Sequence, residues 1–115
     1  MMIKVVAATT NLDLHGERFT RESLEQLAKE AINIPIMVDF DPLKPTIGLV
    51  TGAEVIDNQL ILTCKLDKNI EGYIVPGFRV LDATLDKEDN LVFKDIEAIE
   101  FSIVRHPADP TLTEV

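Results

Sequence analysis

Basic residues are scarce in this chain. Eleven Lys and Arg stand against 20 Asp and Glu, a formal net charge of −9. Affinity for a phosphate backbone comes mainly from Lys and Arg, so the balance argues against nucleic-acid binding. It fits a soluble acidic surface or an acidic face that meets a basic partner. Cysteine is nearly absent: Cys64 stands alone, which excludes an internal disulfide and fits a reducing compartment. No apolar run approaches the ~20 residues of a membrane span. The opening MMIKVVAATT lacks the longer apolar region and small-residue cleavage site of a secretory signal. A cytoplasmic location is therefore expected. Low-complexity segments and internal repeats are missing too.

What remains is the composition of a globular domain, 46% hydrophobic and 27% charged over 115 residues. That length sets one domain, residues 1–115, able to bury about two thirds of its unfolded surface. Residues 2–9 (MIKVVAAT) read as a strand from their β-branched content. "NLDLHGE" reads as a polar turn around Gly16. Thr20 is an expected N-cap, with Glu22 in the first turn, where the helix dipole favours negative charge. Leu24, Leu27, Ala28 and Ala31 form one apolar stripe, which predicts a principal helix over about residues 21–32. Pro35 lies beyond its end.

The rest reads as β. "PIMVDF" is a short strand followed by the stiff loop "FDPLKP". "TIGLVTGAEVI" and "QLILTCKLD" form a hairpin at Asp57-Asn58, residues that tolerate left-handed backbone. Leu60, Leu62, Cys64 and Leu66 alternate along the second strand, so that face is expected in the core. "YIVPGFRVLDATL" carries Pro76 and Gly77 internally, which predicts an edge, a bulge or a break. "DKEDN" closes another hairpin before the long strand "LVFKDIEAIEFSIVRH". Period-two alternation places Ile99, Phe101 and Ile103 on one face, and Glu100, Ser102 and Val104 on the other, less buried one. "PADPTLTEV" is expected to be irregular. The predicted class is α+β: a mainly antiparallel sheet or partly closed β-barrel with one principal helix.

Few residues carry legible chemistry. Glu100, Ser102 and His106 crowd one stretch, yet an extended strand sets Ser102 and His106 about 13 Å apart, too far for a nucleophile and its base. His15, in "DLHGE", reads as an exposed turn residue, and as a base for Ser102 or Thr84 it would have to act across the fold. Asp39 and Asp41 alternate and are candidate ligands for Mg²⁺ or Ca²⁺, but they lack the further oxygen donors of a calcium loop. Asp41 before Pro42 also reads as a loop cap. Cys64, mid-strand on the apolar face, reads as a small hydrophobe. No glycine-rich phosphate loop is present, and no cofactor is indicated.

The order of segments nevertheless resembles the tailed-phage prohead (capsid maturation) serine protease family. "NLDLHGERFTRESLEQLAKEA" resembles its opening turn and helix, and "IPIMVDFDPLKPTIGLVTGAEVIDNQLILTCKL" its next block. "VPGFRV" resembles the block carrying a Ser-x-Gly-Phe nucleophile. "IEAIEFSIVRHPADPTLTEV" is similar to the closing Glu-x-Ser-x-Val…Pro-Ala-x-Pro signature. The resemblance implies a herpesvirus-protease-like β-barrel and a serine–histidine mechanism that cuts scaffold and capsid subunits. Carried over by residue, the family's His falls on Phe40, with Asp41 after it. The family's Ser falls on Val75, with Gly77 and Phe78 keeping the flanking pattern, and Glu100 falls near an acidic position. The Leu66–Val75 segment is too short for the helix that usually precedes the nucleophile. Phe accepts no proton and Val has no nucleophilic atom, so the expected function is a catalytically inactive prohead-protease-like domain. Its role would be structural or binding, on capsid or scaffold subunits, in the host cytoplasm or virion, as a monomer or homo-oligomer. The alternatives are an active serine protease with displaced groups drawn from Asp41, Glu100, Ser102 and His15, and a small acidic module that inhibits a host protein.

Overall fold

The computed structural model describes residues 1–115. In chain order the elements are β1 (Met2–Thr9), β2 (Glu17–Phe19), α1 (Arg21–Ala31), β3 (Pro35–Val38), β4 (Gly48–Ile56), β5 (Gln59–Leu66), β6 (Tyr73–Leu85) and β7 (Leu91–Val104). Seven strands make one curled sheet in the order β1-β5-β4-β3-β7-β2, with β6 on the other side of β7. β1–β5, β5–β4, β4–β3 and β6–β7 pair antiparallel, while β2 and β3 run parallel to β7. The curl brings β1 and β6, the two ends of the sheet, towards each other as a half-barrel. The expected α+β class, mainly antiparallel with one helix, is what the chain adopts.

α1 starts where its cap dictates. The Thr20 Oγ1 accepts from the Ser23 amide at 3.1 Å, and the Ser23 hydroxyl accepts from the Thr20 amide at 2.9 Å. This reciprocal box satisfies two amides that the first turn leaves free. Leu24, Leu27 and Ala31 are fully buried against the sheet, and the helix ends at Ala31, one residue short of the predicted bound, with Ile32 as its C-cap.

β7 organises the sheet. Its outer amides pair with β2 at Leu91–Phe93 and with β3 at Phe101–Ile103, leaving a gap between the two short strands. Helix side chains fill that gap. The Gln26 Oε1 accepts from the Ile96 amide at 3.0 Å, and the Glu30 Oε1 accepts from the Ala98 amide at 3.0 Å. Amides left by the missing strand need acceptors, and here two helix side chains stand in for it.

The core joins α1 to β5 and the inner positions of β7. Leu60, Leu62, Cys64 and Leu66 are buried, as their alternation requires. The Asp57-Asn58 turn has φ of 51° and 60° at its two residues, the left-handed pair that matches the twist of a hairpin.

Three sequence expectations are corrected. Ile99 is 56% exposed rather than sharing the inner face of Phe101 and Ile103. The β6–β7 register passes from Gly77↔Glu100 to Phe78↔Ala98, so Ile99 is the extra residue of a bulge and leaves the alternation. Glu17, read as part of a polar turn, begins β2 and pairs with Leu91. Ser102 is fully buried rather than on a lightly covered face, because that side of β7 is also covered. β6, with Pro76 and Gly77 inside it, is both unpaired along its outer side and bulged against β7.

Candidate functional site

The turn after β3 positions Phe40. The Asp39 amide still donates to the Ile103 carbonyl at 3.0 Å, after which Asp39 and Phe40 take φ of 53° and 52°. Left-handed backbone costs roughly 1–2 kcal/mol for a residue with a Cβ. The Phe40 amide donates to the Ser102 Oγ at 2.9 Å, and the Asp41 amide to the Val38 carbonyl at 3.0 Å. These bonds hold the strained turn. They also define Ser102: its hydroxyl is a buried bracket for the Phe40 backbone.

β6 supplies the facing wall. Val75 pairs across the strands with Ser102, and Gly77 with Glu100. A Cβ added at Gly77 would lie 2.7 Å from the Glu100 Cγ and 3.0 Å from the Phe40 ring. Gly77 is thus the space against which Phe40 and Glu100 pack. Phe40, Val75, Gly77, Glu100 and Ser102, scattered through the sequence, converge on one corner of the fold.

Phe40 and Val75 line an open pocket of about 290 Å³. Ala7, Ala8 and Thr9 of β1 close one side, Pro76 and Phe78 of β6 the other. Phe19, Phe78 and Phe93 pack on one another with centroids 5.1–5.3 Å apart and contribute aromatic wall. The C-terminal segment, irregular as expected, lies across the gap between β1 and β6. Leu112 is buried in the pocket wall, the Thr9 hydroxyl donates to the Asp109 carboxylate, and the Ala108 carbonyl accepts from the Leu14 amide at 2.9 Å. Asp13, Glu17, His106 and Asp109 are the ionisable groups of the lining, which includes no Lys or Arg.

The remaining sequence candidates fall elsewhere or are otherwise engaged. His15 is exposed and makes no side-chain hydrogen bond, whereas its amide donates to the Asp13 carboxylate at 2.8 Å. Thr84 is exposed on β6. His106, exposed beyond the end of β7, does reach the pocket lining but holds no bond to Ser102. Asp39 pairs with Lys44 at 3.0 Å, and the Asp41 carboxylate accepts from the Leu43 amide at 2.9 Å, the loop cap its place before Pro42 suggested. No group of three or more His, Cys, Asp or Glu gathers where a metal ion could be held. Burial pushes the Cys64 thiol up to about 11, which keeps it protonated and unreactive. In the β6–β7 turn, the Asn90 amide and then the Glu88 amide and Arg18 guanidinium hold the Asp86 carboxyl below its ordinary value.

The pocket itself was invisible to sequence reasoning. Its walls come from β1, β2, the β3 turn, β6 and the C-terminal segment, and no local spacing signals that convergence. The family resemblance pointed to Phe40, Val75 and Phe78, and the closing stretch to His106, but nothing in the sequence joined them into one cavity. Chemically the site offers an apolar cavity with an acidic rim and no nucleophile–base pair. Comparison of the chain with protein-family models, with curated proteins and with solved structures finds no match in any of the three.

Proposed function

We propose that this chain is a non-catalytic domain of the prohead-protease type, with a structural or binding role on capsid or scaffold subunits. One observation carries the reading. The two positions that align with the family's histidine and serine, Phe40 and Val75, lie far apart in sequence yet line the same pocket. A protease's two reacting groups must meet at one cavity, and these positions do. Phe and Val then leave that cavity able to bind and unable to transfer an acyl group. An active enzyme with displaced groups draws no support from the geometry. Ser102 is fully buried with its Oγ engaged by the Phe40 amide, and His15 is exposed without a partner.

The test is to mix the protein with capsid and scaffold proteins from the same genome. Size-exclusion chromatography and intact mass are then read together with fluorophosphonate labelling. The expected result is a stable complex, unchanged masses and no label. Cleavage or labelling would restore the active-protease reading. Absence of any complex, with capture of a host protein instead, would favour the inhibitor module.

A further inference from the structure

The lining of this pocket is chemically one-sided. Four of the chain's five phenylalanines, Phe19, Phe40, Phe78 and Phe93, contribute to its wall. Asp13, Glu17 and Asp109 bring three carboxylates, and none of the chain's 11 Lys and Arg contributes. The carboxylates are not equally free. The Asp13 Oδ1 accepts from the His15 and Glu17 amides, and Asp109 is held by Thr9 and Thr111. The Glu17 carboxylate has neither a hydrogen bond nor an ion pair, while its backbone is fixed in β2. Arg18, the next residue in sequence, is committed to Asp86 at 3.2 Å. An apolar aromatic cavity with a free carboxylate at its rim is complementary to a cation on an apolar stem. The stem replaces water against the rings, and the head meets both ring quadrupole and carboxylate.

The surrounding backbone says how such a group would arrive. The pocket lies between β1 and β6; the C-terminal segment covers the outer side of β1, where the Val6 amide donates to the Thr113 Oγ1 at 3.4 Å, while β6 pairs only with β7. The outer side of β6, beside the side-chain pocket, is the arrangement that receives an extended peptide: the main chain pairs with the edge and one side chain fills the cavity. A volume of about 290 Å³ suits one large side chain.

We infer that the pocket receives a lysine or arginine side chain presented by an extended segment of a partner protein. This rests on the binding reading above and adds the chemistry of the contact. It also gives the acidic surface a specific use, since a basic segment is drawn by the net charge before it is read by the pocket.

The experiment titrates ¹⁵N-labelled protein with four blocked pentapeptides, alanine throughout except for lysine, arginine, norleucine or glutamate at the centre. Lysine and arginine peptides are expected to shift the amides of Ala8, Phe19 and Phe78 saturably, with norleucine roughly tenfold weaker and glutamate inert. Glu17→Gln is expected to weaken the lysine peptide about fivefold and leave the norleucine peptide unchanged, with the rest of the spectrum reporting an intact fold. Equal binding of lysine and norleucine overturns the cation inference while leaving a binding role at this pocket in place. Pocket amides that move with none of the peptides overturn it too. Failure of the capsid and scaffold mixing experiment would instead remove the proposed function, so the two failures are distinguishable.

Discussion

The two sides of β7 are built on different terms. On one, Phe101 and Ile103 are buried with Leu24, Leu27 and the β5 leucines in a continuous core. On the other, Ser102 pairs with Val75 and brackets the Phe40 turn beside an open pocket. The first side is specified by hydrophobic alternation and stabilised by burial. The second is specified by single features: one hydroxyl, one glycine, two left-handed residues. Burial of apolar area is non-directional and forgiving, whereas an individually bonded turn depends on each partner. The molecule thus keeps its stability and its candidate site on opposite faces of one strand.

The strongest way to break the comparison is to cut into the core side. Leu62→Ala removes a fully buried side chain opposite Val5 and Ala53, and is predicted to cost about 2–5 kcal/mol in urea denaturation. Such a loss should leave the pocket amides at their native shifts in the fraction that stays folded. Gly77→Ala acts on the other side. Its new Cβ meets the Glu100 Cγ and the Phe40 ring, and is predicted to cost about 1–3 kcal/mol while shifting the Phe40 and Glu100 amides. Ser102→Ala leaves the Phe40 amide without its acceptor and should cost about 1–2 kcal/mol. The discriminating readout is hydrogen exchange at Phe40, which should accelerate well beyond that of Leu62.

The pH dependence of Cys64 sharpens the contrast between a buried thiol and a buried hydroxyl. Its folded value, about 11, exceeds the ordinary thiol value of 9.0. The native state therefore holds its proton while the unfolded chain releases it. The thiol's contribution is fully present below the unfolded value and is lost as pH rises through the window from 9.0 to about 11. Cys64→Ala should flatten that alkaline loss in urea titrations, and an aromatic disulfide reagent should label Cys64 only when urea unfolds the chain. The smallest effect belongs to Asp86, whose folded value lies below its unfolded one. Stability from it is present above the unfolded value and falls away as pH drops through the folded one. Asp86→Asn should reduce that acid dependence slightly.

The core side was legible because period-two and period-3.6 patterns report burial directly. The leucines of β5, the stripe of α1, the Thr20 cap and the Asp57-Asn58 turn all follow from local chemistry. The site side was not. The bulge at Ile99 is marked on its own strand by no Gly or Pro; its signal, Pro76-Gly77, lies across on β6, so alternation along β7 assigned Ile99 to the wrong face. β2 is three residues long and takes its structure from Leu91–Phe93, not from its own sequence. Ser102 is buried by a turn 62 residues away. Tertiary contacts of that separation leave no periodic trace.

The proposed role, binding without chemistry, is placed at the Phe40–Val75 pocket. Its most direct test places a photoreactive benzoylphenylalanine at position 75, and in a separate protein at Lys65, exposed at the far end of β5. Both are irradiated with the proposed partners, capsid and scaffold proteins from the same genome, and read by mass. The expected result is a cross-link to an uncleaved partner from position 75 and none from position 65. Cross-linking from position 65 alone, or a partner recovered as cleavage fragments, would contradict it.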